Sequence, residues 1–321
     1  MFNIKYFGVA LSLMLLQACE APLKLGAVIE QESKASHRSD RFQQINSNDS
    51  SVVVVGSFGV ILVSNDKGDT WKRTQLSSQP SFIDITHCPD KSYVALTLEG
   101  AVWLSSDNGN SWQEKSLMSE ETPQAITCAP DGKIWVVGSF STFLSSNDKG
   151  ESWLSVSLDE DMILSYIKFF NHFNGIATGE FGSLLTTNDG GLTWQTKNPM
   201  PNEFYPIASL FSSMNDGIVV GLSGKILATH NGGNTWQVEQ SNTKVPLYGL
   251  TKNDRYIYAT GALGSLLVKD LSMSSAAWTQ FPQQTRSYLR GALAFENKLI
   301  IVGGKGLLKN ADLANSEAKN D

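Results

Sequence analysis

The sequence predicts an all-β protein: a seven-bladed β-propeller with four-stranded antiparallel blades. Three observations predict it. An octet ending in tryptophan returns at a nearly constant step, and a pair of small residues recurs seven times in phase with it. Each unit of about 40 residues also breaks into four short apolar runs bounded by Gly, Asn and Asp, as propeller blades do.

The octet Ser64-Asn65-Asp66-Lys67-Gly68-Asp69-Thr70-Trp71 has further copies at Ser105 to Trp112, Ser146 to Trp153, Thr187 to Trp194 and Thr229 to Trp236. A decayed sixth copy keeps Asp270 and ends at Trp278, so the tryptophans step by 41, 41, 41, 42 and 42 residues. The small pairs are Gly56/Gly59, Thr97/Gly100, Gly138/Ser141, Gly179/Gly182, Gly221/Gly224, Gly261/Gly264 and Gly303/Gly306, which sets the number of units at seven. In the fourth unit the strands are expected at Ser165 to Phe169, Gly175 to Thr178, Ser183 to Thr187 and Thr193 to Lys197. No long 3.6-residue period competes with this reading.

The octet resembles the Asp-box, or BNR repeat. Its acid and hydroxyl can accept amide hydrogen bonds in the turn between the third and fourth strands, and its Gly supplies the left-handed residue. The structural set is Asp66 and Trp71, Asp107 and Trp112, Asp148 and Trp153, Asp189 and Trp194, with Asn231 and Trp236 in a copy that keeps an acceptor oxygen. One carboxylate per turn is too few for a calcium ion, which takes six to eight oxygens. The seventh unit starts near Ser287, and its third strand ends near Asn310, leaving only a polar tail, 312–321. Leu23 to Glu30 is expected to supply the missing fourth strand and so remove two open edges.

The first 18 residues read as a lipoprotein signal peptide. Lys5 precedes the apolar run Phe7 to Leu16, which is too short for a permanent span. Leu16-Gln17-Ala18-Cys19 resembles a lipobox, which makes Cys19 the lipidated residue. Residues 19–39 are a lipid-anchored tether carrying that ring-closing strand, and 40–311 are the propeller. The chain is expected to be exported and held on the outer membrane facing the periplasm, or on another envelope or lumenal membrane. Glu20 after the cysteine fits that address.

Composition excludes several functions. A net charge of −6 with only six arginines argues against nucleic-acid binding. A sialidase needs three arginines converging on a carboxylate, whereas Arg38, Arg41, Arg73, Arg255, Arg286 and Arg290 leave the middle blades empty. Glu120, Glu121 and Asp159 to Asp161 read as solvated loop charge rather than a glycosidase pair. His37, His87, His172 and His230 have no metal-ligand spacing. No enzyme, cofactor or metal is expected. Cys88 and Cys128 end the first strands of successive units one residue out of register; an exported protein permits a bond between them, but two buried free thiols are expected.

Together the Asp-boxes and the seven glycine-turn hairpins resemble the photosystem II assembly/stability factor family of BNR-repeat propellers, over about residues 40–310. The resemblance implies a non-enzymatic, monomeric scaffold for assembly or stability of a membrane or envelope protein complex. Phototroph members carry an arginine-rich patch. Here no arginine lies between Arg73 and Arg255, which points to a non-photosynthetic relative. The alternative is a carbohydrate-binding propeller or a sialidase-like glycoside hydrolase. Recognition is expected on the face carrying the second-to-third-strand turns and the joining loops, through Phe58, Glu99, Phe140, Phe181, Phe204, Tyr205, Arg286 and Tyr288, aromatic residues being common contact anchors.

Overall fold

The computed structural model describes residues 26, 30, 32–273, 276–281 and 283–312. The chain divides into two compact units, Met1–Lys34 and Ala35–Asp321. In the first, Glu30 and Glu32 are helical, and the Ser33 hydroxyl donates to the Glu30 carbonyl at 2.8 Å. Of the expected closing strand Leu23 to Glu30, only Gly26 and Glu30 are described, both helical; the rest lies outside the described residues. Cys19, the signal peptide and most of the polar tail also lie outside them.

The second unit is a ring of seven antiparallel sheets. Six have four strands, each paired with the next in sequence, and the seventh has three: Leu289–Ala294, Lys298–Gly303 and Leu308–Asp312. Blade 1 is typical, with Phe42–Ser47 innermost, then Val52–Gly56, Val60–Ser64 and Lys72–Gln75. The fourth blade's outer strand is only Gln195–Thr196, shorter than the sequence suggests.

Burial follows radius. The Val52–Gly56 and Val60–Ser64 strands are buried along their whole length, because blades pack on both their faces. Lys72–Gln75 is largely exposed. The core lies between blades. Val53, Val55, Ile61 and Val63 of blade 1 pack on Phe82, Ile85 and Tyr93 of blade 2. The ring closes the same way, with Val54 and Leu62 of blade 1 against Ile300 and Val302 of blade 7.

Closure is completed by residues 35–41. The Gly306 N–H donates to the Asp40 carbonyl at 2.9 Å, Ser36 Oγ donates to the Gly306 carbonyl, and Arg41 bridges Gly304. Asp40, almost fully buried, accepts both ends of the Arg73 guanidinium at 2.7 and 2.9 Å. The same Arg73 donates to the Ala35 carbonyl at 3.1 Å. A two-pronged pair of this kind fixes orientation as well as contact. This short arm occupies the position that a joining loop occupies between other blades.

Cys88 and Cys128 are joined by a disulfide, which corrects the expectation of free thiols. Inner strands converge at the axis, and the one-residue offset brings the two Cα atoms to 5.0 Å, within disulfide range.

Candidate functional site

The ring exposes two kinds of turn, one at each end. The octet turns lie at one end and are closed by their own side chains. In the first, Asp66 Oδ1 accepts the Thr70 N–H at 2.9 Å and the Ser64 hydroxyl at 2.7 Å, while Ser64 Oγ accepts the Gly68 N–H at 2.7 Å. Asp107, Asp148 and Asp189 repeat the pattern. Asn231 accepts the Thr235 N–H at 2.9 Å through its amide oxygen, so the acceptor survives the change. Hydrogen bonds to Ser152 and Thr193 hold Asp148 and Asp189 down at about 2, because each stabilises the ionised carboxylate. Trp71, Trp112, Trp153, Trp194 and Trp236 wedge between their own blade and the preceding one.

The other end carries the second-to-third-strand turns. Phe140 and Ser141 have φ of 50° and 49°, and the Thr142 N–H donates to the Ser139 carbonyl at 3.1 Å. Two left-handed central residues inside a four-residue turn define type I′, whose twist matches that of the flanking strands. Phe58-Gly59, Phe181-Gly182, Ser223-Gly224, Leu263-Gly264 and Lys305-Gly306 are equally left-handed. Glu99 differs: in its turn only Gly100 is left-handed, and the Glu99 carboxylate reaches back to accept the Ser81 N–H with both oxygens, at 3.1 and 3.0 Å. Burial raises the Glu99 pKa, but these hydrogen bonds outweigh it and hold the group below the usual carboxylate range. The tip glycine is fixed by the joining loop crossing it: a Cβ on Gly182 would lie 2.9 Å from the Met200 backbone.

Type I′ turns favour Asn or Gly at their first central position. A residue other than Gly, Asn or Asp costs about 1–2 kcal/mol there. Phe58, Phe140 and Phe181 accept that cost while remaining 52%, 51% and 57% exposed. Of the other sequence-predicted contact residues, Tyr205 is exposed and Arg286 is exposed. Phe204 is not available: it is buried against Gly221 and the core between blades 4 and 5, because adjacent residues of the joining loop point in opposite directions. Tyr288 is half-buried, its ring lying over Gly304. Leu98, Leu222 and Leu263 were missed, although all three are exposed in the same turns. Their signal was position relative to the small-residue pair, which does not depend on aromaticity.

The axis holds a second feature, a shaft of about 470 Å³ lined by inner strands. Inner strands leave one edge unpaired, and side chains of neighbouring blades cover it. Asp84 Oδ2 accepts the Ile126 N–H at 3.0 Å, Arg290 donates to the Tyr248 carbonyl at 3.1 Å, and Lys168 donates to the Phe211 carbonyl at 2.8 Å. A bulge near the start of the inner strand turns one residue toward the shaft in several blades, including Ser165, Tyr248 and Arg290. Asp84 touches water only through the shaft and is otherwise enclosed by protein. This desolvation raises its pKa to about 6 against the opposing hydrogen bonds and Arg290. Burial lowers Arg290 and Lys168, the latter helped by Lys252.

The histidines sit apart. His172 meets Asp131 at 2.5 Å and His230 meets Asp216 at 3.1 Å, both pairs exposed at the octet end. Among the described residues no cluster of three His, Cys, Asp or Glu side chains could hold a metal ion. None of their helices is long and apolar enough to cross a membrane.

The family model described as Photosynthesis system II assembly factor YCF48 matches residues 26–122 and 151–253. Among solved structures, "YCF48 bound to D1 peptide" is 16% identical, with a TM-score of 0.70 over 85% of this chain and 92% of that one. YCF48 from Cyanidioschyzon merolae is also 16% identical, with a TM-score of 0.70 over 86% of this chain and 97% of that one. A catalytically inactive virginiamycin B lyase from Staphylococcus aureus, with quinupristin, is 13% identical, with a TM-score of 0.65 over 86% and 96%. At such identities these structures share the fold. No curated protein matches the sequence.

Proposed function

Since the chain belongs to the photosystem II assembly factor YCF48 family, we propose that it is a non-enzymatic binding scaffold for a membrane or envelope protein complex. It is monomeric, lipid-anchored through Cys19 on the periplasmic side of the outer membrane or an equivalent membrane, and recognises its partner with the turn face. The carrying observation is that Phe58, Phe140 and Phe181 stay exposed at backbone positions that disfavour them. Folding alone would select Asn or Gly there, and strain retained at an exposed position is a mark of use. A family member bound to a D1 peptide supports recognition of a segment of a membrane-complex subunit. The absence of arginine between Arg73 and Arg255 supports a different complex here from that of phototroph members.

The test is a photo-crosslinking residue beside Phe181, compared between the native chain and the triple variant Phe58→Asn, Phe140→Asn, Phe181→Asn in cells. The native chain should capture a membrane-complex subunit, and the triple variant should lose it. Undiminished capture by the folded variant would refute the assignment of this face.

A further inference from the structure

The apolar tips form a pattern wider than the three phenylalanines. Phe58, Leu98, Phe140, Phe181, Leu222 and Leu263 come from six successive blades, and each is 51% to 67% exposed. They form a ring of protruding side chains, to which the joining loops add exposed Met118 and Tyr205. Protein interfaces concentrate their anchors in a central cluster rather than in a ring. A fluid apolar medium accepts all of them at once.

The arm adds an independent observation. Ser36, His37 and Asp40 pack on Gly306, the tip of the blade 7 turn, and Asp40 is locked to Arg73. The propeller unit therefore begins, at Ala35 and Ser36, on the turn-face side of blades 7 and 1. Cys19 lies 16 residues before Ala35, a reach of at most about 55 Å when fully extended. A lipid at Cys19 would be tied to the propeller through a segment that joins it on the face bearing the apolar ring.

From the ring and the attachment of the arm, we propose that the turn face seats on the bilayer surface, with the six apolar tips entering the headgroup boundary. This rests on the reading of a membrane-anchored scaffold and deepens it, because it places partner recognition at the membrane interface. The charge on this face is mixed. Acids outnumber bases on it: Glu99, Glu120, Glu121, Asp159, Glu180 and Glu203 stand against Lys225, Lys244, Arg286 and Lys305 in its turns and joining loops. Seating therefore does not depend on anionic lipid, unlike polybasic attachment.

The experiment uses residues 19–321 with Cys19→Ser, so that no acyl chain contributes, and vesicles of phosphatidylcholine alone. The native propeller should sediment with vesicles at both low and 0.5 M salt. In the variant Phe58→Asn, Phe140→Asn, Phe181→Asn the partition should fall by about tenfold per phenylalanine, from the apolar area withdrawn. Asn is well suited to a left-handed turn position, so this variant should fold. Phe173→Asn at the octet end should bind as the native chain does, and Phe140→Trp should be quenched by brominated lipid.

Failure of the native chain to bind, or equal binding by the triple variant, overturns the proposal. If vesicles are ignored while the lipidated triple variant loses its protein crosslinks in cells, the face is a protein dock: bilayer seating falls and the scaffold reading stands. If vesicles bind but no crosslink depends on the face, bilayer seating stands and partner recognition there falls.

Discussion

Replacing Trp194 with alanine should be far more costly than the same change at Trp153, although both close the same octet. Trp194 is 7% exposed and stacks on Phe143 with ring centroids 4.2 Å apart. It also meets Trp135 and Phe169 edge-on, at 6.4 and 5.9 Å, in the core joining blades 3 and 4. An indole buries on the order of 200–250 Å², worth about 5–6 kcal/mol at the usual area coefficient. A compact denatured chain removes part of that, leaving about 3–5 kcal/mol, the range of other buried tryptophan truncations. The Trp194 ring nitrogen has no partner, so no hydrogen bond is lost with the ring. Trp153 is half-buried, with its Nε1 donating to the Ser116 carbonyl at 3.1 Å, and should cost about 2 kcal/mol. Urea unfolding followed by far-ultraviolet circular dichroism measures both, provided that the slope is unchanged. A Trp194→Ala loss below about 1 kcal/mol, or a larger loss for Trp153→Ala, would refute the wedge.

Two other predictions concern the axis. The disulfide closes a loop between residues 40 apart, so reducing it, or the double change Cys88→Ser and Cys128→Ser, should cost up to about 4 kcal/mol. A urea midpoint unmoved by reductant would show that the thiols are free. Asp84 has its pKa raised from 3.8 to about 6 in the folded chain. Its contribution to stability is therefore full below about pH 4 and is lost as pH rises through about 6. Relative to the native chain, Asp84→Asn should gain about 1–3 kcal/mol in stability between pH 4 and pH 7. The octet aspartates titrate with the opposite sign, their contribution being lost as pH falls toward 2, and they cancel in this difference. A pH-independent difference would mean that Asp84 is ordinarily solvated.

The architecture was legible because each blade repeats the same local solution. Asp66, Asp107, Asp148 and Asp189 close their turns within eight residues, so their spacing reports the fold without any distant contact. Features set by the ring itself were not legible. Phe204 and Tyr205 are adjacent aromatics in one loop, and only the packing of blade 4 on blade 5 decides that one is buried and the other exposed. Cys88 and Cys128 are out of register along the chain but come together where inner strands converge. Ser36 to Asp40 reads as polar tether, yet its fixing depends on Arg73, more than thirty residues later. Asp84 lies in the apolar run Phe82-Ile83-Asp84-Ile85, where a charge signals an exception, but the role of covering the next blade's edge appears only in three dimensions.

The two ends of the blades obey different constraints, and this is the physical reason for looking to one of them for function. At the octet end, hydroxyl and carboxylate acceptors meet the turn's own amides, and even the exchange of Asp for Asn231 preserves the bonding. The hydrogen bonding of these turns is explained by folding. At the turn end, the backbone would be best served by Asn or Gly at positions 58, 140, 181 and 263, and instead carries Phe or Leu exposed to water. Each such residue is penalised by its left-handed backbone and again by its apolar surface. Half or more of each of these side chains stays in water at a disfavoured backbone position, and that is the observation on which the proposed docking of this face rests.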